Sequence, residues 1–148
     1  MDIQTLYALF LKHPSVSTDT RSITPGSLFF ALKGDTYNGN AYTKNAIEAG
    51  AAFCVVDEIH GIDNEKVIKV DNVLETLQQL ALYHRIQFGI PFIAITGTNG
   101  KTTTKELVHA VLSSTYVTYT TQGNFNNHIG IPLTLLKIKS GAEMAVIE

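Results

Sequence analysis

Gly97, Gly100, Lys101 and Thr102 have the residue types and spacing of a polyphosphate-binding turn. Around them residues 91–105 read P-F-I-A-I-T-G-T-N-G-K-T-T-T-K. The apolar run 92–95 has the form of a short buried strand, residues 97–100 of a glycine-bracketed turn, and Lys101 with the threonines of a helix start. Two glycines let the backbone turn tightly, so that the N–H groups of Gly97, Thr98, Asn99 and Gly100 point inward. The helix N-terminus, with Thr103 in its first turn, adds orphan donors and a partial positive charge, and Lys101 adds a full one. Thr102 offers a hydroxyl where a Mg²⁺ shared with the phosphates would sit. The common phosphate loop has its first glycine five residues before the Gly-Lys pair, at the place of Ile95, so this loop is a shorter variety. The plainer alternative is a Gly- and Thr-rich connection. It leaves unexplained why a lysine opens a helix, where the dipole disfavours a cation unless an anion is bound.

A second feature answers the first. The apolar run 144–147 delivers an acid, Glu148, downstream of the phosphate loop. A hard cation wants oxygen ligands beside the phosphates, which makes Glu148 and Thr102 candidate Mg²⁺ ligands and Lys101 and Glu148 the candidate catalytic pair.

These groups need elements to carry them. The pattern predicts an amphipathic helix over residues 3–11, a short polar strand running into a loop over 15–21, a turn at Thr24-Pro25-Gly26 and a strand over 27–32. Residues 33–40 form a turn-rich loop with Asn38-Gly39 as its sharpest signal. A helix over 42–49 ends at Gly50, and strands follow at 51–56 and 67–70. Asn72 and Glu75 cap a helix over 72–89 with Val73, Leu77, Leu80, Ala81 and His84 on one face, His84 reading as a surface or core-edge residue, and Gly89 with Pro91 stops it. Beyond the phosphate loop a helix over 102–114 turns Leu107, Val108, Val111 and Leu112 to the core. A strand over 116–120, an asparagine-rich loop over 121–132, a helix over 133–137 and the strand over 144–147 complete the pattern. Strands alternating with helices define an α/β fold. The domains expected are 1–88 and 89–148, the second holding about half of a doubly wound parallel sheet. Half a sheet leaves faces and an edge uncovered, so the chain reads as part of a longer one.

Bulk properties limit the partners. The 148 residues contain 45% hydrophobic residues, a mean hydropathy of +0.10 and a net charge of −2 without a Lys/Arg block. That composition argues for a globular core-former and against a nucleic-acid or membrane-surface footprint. The single cysteine, Cys54, lies in an apolar run and reads as a buried reduced thiol, which fits a reducing, cytoplasmic compartment. No stretch reads as a signal peptide or a membrane span, and a monomer is expected.

The strings T-G-T-N-G-K-T-T-T-K-E, G-N-F-N-N-H-I-G-I-P-L-T-L-L and A-V-I-E, with D-T-R-S-I-T-P-G-S-L-F-F-A-L-K-G-D-T-Y-N-G-N-A-Y upstream, resemble the Mur ligases over essentially the whole chain. Those are the ATP-dependent amide ligases of peptidoglycan precursor synthesis. Within the family the chain resembles the branch that joins D-alanyl-D-alanine to UDP-N-acetylmuramoyl-tripeptide. The resemblance implies that a substrate carboxylate attacks the γ-phosphate of ATP, and that an amine then displaces phosphate from the acyl phosphate. It implies a UDP-substrate domain followed by the first half of an ATP-binding domain. It places Thr20, Arg21, Asn38 and Asn40 at the UDP moiety, and Asn126, Asn127 and His128 between nucleotide and substrate. Asn38-Gly39-Asn40 and Asp19-Thr20-Arg21 stand where the family often has Asp-Gly-His and Asp-Ser-Arg. Without the family, Arg21 reads as a surface charge, Asn38-Gly39 as a turn and His128 as a loop-packing residue. The family's carbamylated lysine and C-terminal domain would lie beyond Glu148, so this chain alone is not expected to ligate. Another Mur ligase, a folylpolyglutamate synthetase (which shares the phosphate loop) and a non-catalytic nucleotide- or UDP-sugar-binding module remain the alternatives.

Overall fold

Parallel strand pairing accounts for both halves of the chain. The computed structural model describes residues 1–61 and 64–148, which divide into two units, Met1–Tyr83 and His84–Glu148. The division falls inside the last turn of a helix.

In the first unit the strands β1 (Val16–Ser17), β2 (Leu28–Phe30), β3 (Phe53–Val56) and β4 (Val67–Lys69) form one sheet in sequence order, all parallel. Helix α2 (Thr43–Glu48) lies in the connection from β2 to β3, while α1 (Ile3–Lys12) precedes the sheet and α3 (Val73–Ile86) follows it. β2 is buried along its whole length, as strands covered on both faces must be. The core gathers Phe29, Ala31, Ala46, Ala51, Cys54 and Val56. Burial pushes the Cys54 thiol up to about 11, so it stays protonated and packs as a small apolar residue.

Local polar chemistry shortens several expected elements. The short strand expected to run into a loop within 15–21 is Val16–Ser17, and the Asp19 carboxylate then accepts the Arg21 N–H at 2.9 Å and opens a 3-10 turn, Thr20–Ser22. The helix expected from residue 42 begins instead as a 3-10 turn, Gly39–Tyr42, capped by the Asn38 side chain. Asn72 caps α3 through the Glu75 N–H at 3.0 Å, as the sequence predicts. α3 ends at Ile86 rather than near Gly89, since the Gln87 and Phe88 N–H groups tighten onto the His84 and Arg85 carbonyls.

In the second unit β5 (Phe92–Ala94), β6 (Thr118–Thr120) and β7 (Met144–Ile147) pair in the order β5-β7-β6, all parallel, with α4 (Lys101–Ser113) and α5 (Gly130–Leu135). β5 is an edge strand and only partly buried, where the sequence suggested a buried one. α5 starts three residues earlier than expected, because Asn127 Oδ1 accepts the N–H groups of Ile129 and Gly130 at 3.0 and 2.8 Å. Pro132, in the first turn of α5, has no intrahelical bond to lose. On α4, Leu107 and Val111 are not core residues; they are 64% and 71% exposed. The buried or half-buried stripe runs Lys101, Lys105, Val108 and Leu112, the i, i+4, i+7, i+11 face, and Leu107 and Val111 lie off it.

His84 is buried, and its Nε2–H donates to the Ile138 carbonyl at 2.8 Å. Burial outweighs that bond and holds the imidazole below its ordinary 6.5. A base with a depressed folded pKa contributes fully above the unfolded value and loses its contribution as pH falls below it. The urea midpoint of this unit therefore drops as pH falls below about 6.5, the ordinary value of an imidazole. His84→Gln flattens that slope. An unchanged slope in the variant means another group carries it.

Candidate functional site

The phosphate loop joins β5 to α4. Gly97 and Gly100 take φ values of +147° and +76°, which L side chains adopt only with strain, and Gly100 is the N-cap of α4. Among the described residues no side chain caps this helix, so the N–H groups of its first turn remain for a ligand. Thr98, Asn99 and Gly100 are exposed, as are Thr102 and Thr103. Lys101 folds back over the turn, its Nζ donating to the Gly97 carbonyl at 2.5 Å.

Strand register brings Glu148 here. β7 lies between β5 and β6, Ala94 stands opposite Ile147, and the Ile95 N–H donates to the Ile147 carbonyl at 2.8 Å. The residue after β7 is thereby placed beside the start of the phosphate loop. The Thr102 hydroxyl and the Asn126 amide donate to Glu148 Oε1 at 3.1 and 3.0 Å. The Glu148 N–H donates to Thr121 Oγ1 at 3.0 Å. Among the described residues Glu148 Oε2 is buried without a hydrogen-bond partner. The Asn126 bond, opposed by burial and aided by Thr102 and the charges of Lys105 and Lys101, holds the carboxyl below the ordinary range.

This donor set fits a hard divalent cation. An anionic carboxylate carries an unused oxygen, and a hydroxyl lies 3.1 Å from its other one. Neighbouring oxygens around an octahedral ion at about 2.1 Å stand about 3 Å apart. Of the three loop residues singled out with it, Asn126 reaches Glu148, Asn127 spends its carbonyl on capping α5, and His128 is exposed in the same loop.

The first unit holds a separate cleft of about 580 Å³, with Asp19, Thr20 and Arg21 along one stretch and Tyr37, Gly39 and Tyr42 along another. Arg21 is gripped by Asp19, Nη2 to Oδ2 at 2.6 Å, and this bond holds the Asp19 carboxyl down at about 2. Thr20 and Arg21, which the resemblance places at a ligand, both line this cleft. Asn38 and Asn40 do not line this cleft. Asn40 is 0% exposed, its Nδ2 donating to Asn38 and Asp57 at 2.9 and 2.8 Å and its Oδ1 accepting the N–H groups of Asp57 and Glu58 at 3.1 and 3.3 Å. Its amide is saturated. Asn38 donates to Glu58 at 2.6 Å, a bond that, with Lys33, keeps that carboxyl at about 2. The two asparagines brace the loop, and Gly39 between them faces the cleft. A Cβ on Gly39 would meet the Leu32 carbonyl oxygen at 2.5 Å, so only glycine fits.

Sequence reasoning missed Lys105, Thr121, Asp57 and Glu58. Lys105 had a signal, four residues after Lys101 on the same helix face. Asp57 and Glu58 had the signal used for Glu148, acids directly following a buried strand. Thr121 had none.

Two family models match the chain: "Mur ligase family, catalytic domain" over residues 14–85 and "Mur ligase middle domain" over residues 95–148. The UDP-N-acetylmuramoyl-tripeptide–D-alanyl-D-alanine ligase of Bacillus subtilis is 45% identical over 135 residues, covering 90% of this chain and 30% of its own length. The Escherichia coli ligase of the same name is 40% identical over 134 residues, with 90% and 29% covered. Among solved structures, MurF from Acinetobacter baumannii superposes with a TM-score of 0.84 at 34% identity, over 90% of this chain and 30% of that one. MurF ligase from Thermotoga maritima in complex with ADP gives 0.84 at 28% identity, over 93% and 32%. The chain spans about 30% of the length of the relatives it matches.

Proposed function

Because the chain belongs to the Mur ligase family, we propose that it is the N-terminal part of an ATP-dependent ligase joining D-alanyl-D-alanine to UDP-N-acetylmuramoyl-tripeptide in the cytoplasm. Residues 1–88 would hold the UDP substrate, and residues 89–148 would supply the phosphate-binding half of the ATP domain. The observation that supports this reading is the meeting of Glu148, Thr102 and Asn126 beside the open N-terminus of α4.

The chemistry asks little covalent work of the protein. The tripeptide carboxylate attacks the γ-phosphorus and ADP leaves; the amine of D-alanyl-D-alanine then attacks the acyl carbon, loses a proton, and phosphate leaves. Catalysis is positioning and charge neutralisation. The N–H groups of residues 97–100 and of the first turn of α4 cradle phosphate oxygens, and the Lys101 ammonium turns from the Gly97 carbonyl to the β- and γ-phosphates. A Mg²⁺ held by Thr102 and Glu148 would neutralise charge on those oxygens. Asn126, Asn127 and His128 lie on the loop that carries the substrate end, and Thr20 and Arg21 face the UDP moiety across the loop braced by Asn38 and Asn40.

The test is a ligation assay on the intact ligase with ATP, UDP-N-acetylmuramoyl-tripeptide and a set of amines. Amide formation with D-alanyl-D-alanine and not with single amino acids is the expected result. Ligation of a single amino acid assigns the chain to another Mur ligase, glutamate addition to a folate acceptor assigns it to a folylpolyglutamate synthetase, and ligand binding without turnover leaves a binding module.

A further inference from the structure

Lys105 is 0% exposed, an unusual place for an ammonium. Its Nζ donates to the Thr121 carbonyl at 2.7 Å and lies 2.8 Å from Glu106 Oε1 and 4.0 Å from Glu148 Oε2. The two carboxylates are not equivalent. The Glu106 side chain is 60% exposed, so water screens it, whereas that of Glu148 is 1% exposed and meets Lys105 in the interior. Glu148 Oε2 has no hydrogen-bond donor, so its charge is answered across that gap by the buried ammonium.

We propose that Lys105 is a positioning residue that acts through Glu148: it is the resting counter-ion of that carboxylate and keeps it from capturing a divalent cation until nucleotide phosphates arrive. This rests on the phosphate-site reading above. Ligand number supports it, since among the described residues no group of three or more His, Cys, Asp or Glu side chains gathers to hold a metal. Thr102 and Glu148 supply two oxygens, and a hard cation needs about six, so phosphates and water must furnish the rest. Charge supports it too, because an ammonium 4.0 Å from Glu148 Oε2 repels a bare dication there. Phosphates bring enough negative charge to reverse that balance. Metal then enters with the nucleotide and not before it.

A purely structural Lys105, tying α4 to the end of β6 through Thr121, predicts that its loss weakens every ligand. The counter-ion role predicts a gain, which damage to the fold does not produce. The probe is Mn²⁺ followed by electron paramagnetic resonance, with and without ADP. The wild-type protein shows no saturable Mn²⁺ binding below about 1 mM without ADP. Lys105→Met, and Lys105→Gln, which keeps a donor without the charge, bind Mn²⁺ alone at least about tenfold tighter. Lys105→Arg behaves as wild type, and Lys105→Met with Glu148→Gln loses the gain. Mn²⁺ affinity in the neutral variants equal to or below wild type overturns the proposal, as does tight Mn²⁺ binding by wild type without ADP. Should Lys105→Met fail to fold by circular dichroism, Lys105→Gln and the wild-type arm decide. No ADP binding by wild type at any metal concentration sinks the phosphate-site reading itself, while ADP binding without the gain sinks only the role of Lys105.

Discussion

Lys101→Met lowers the affinity for ADP about 100-fold and leaves the fold intact, because the ammonium serves the ligand and not the core. Lys101 is half-exposed, and among the described residues its side chain bonds the carbonyl of its own loop, at 2.5 Å to Gly97. A charge-assisted bond to phosphate is worth about 2–3 kcal/mol, which sets the size of the loss. A cation in the first turn of a helix opposes the helix dipole, so methionine there is neutral or stabilising by about 0.5 kcal/mol. Calorimetric titration with ADP, paired with a thermal melt, reads both quantities. An affinity within about threefold of wild type removes Lys101 from the site, since that is under 1 kcal/mol.

Asn40→Ala acts the other way, through the fold first. The change strips the donor from the Asp57 carboxylate and leaves the N–H groups of Asp57 and Glu58 without their acceptor. Burial raises the pKa of Asp57, and the bonds from Asn40, Lys33 and the Val73 N–H more than reverse this, so a charged group loses support. Stranding buried polar groups in this way costs about 3 kcal/mol. The urea midpoint of the first unit falls accordingly. Affinity for a UDP ligand falls with it, since Gly39 no longer holds its place along the cleft. A loss under about 1 kcal/mol means that water replaces the amide and that Asn40 does not brace the loop.

The sequence reading and the structure part company in instructive places. The turn between Gly97 and Gly100 and the helix start at Lys101 were legible because a tight turn and a helix N-terminus are local: a few neighbouring residues specify them without help. Asn72 capping α3 and the thiol of Cys54 were legible for the same reason. Leu107 and Val111 were misplaced because apolar character alone does not say which face a helix turns inward. The stripe through Lys105, Val108 and Leu112 won, with a buried lysine at its head. The asparagines at 38 and 40, placed at a ligand by the resemblance, bond within their own loop and to Asp57 and Glu58, which their sequence does not reveal, because a polar residue in a turn looks the same whether it meets solvent, substrate or the backbone of another strand.

By itself the sequence determined the α/β alternation, the glycine-bracketed turn that opens a helix and the acid at the end of the last strand. Tertiary structure decided that β7 inserts between β5 and β6, which carries Glu148 to Thr102, 46 residues away, and to Asn126, 22 away. It also decided that Lys105 answers Glu148 and that Asp57 and Glu58 anchor the loop of Asn40. The physical reason is common to all of these. Turns and caps follow from the conformational preferences of adjacent residues, whereas strand order and the partners of buried charges are set by which pairings bury the most apolar surface without stranding a polar group.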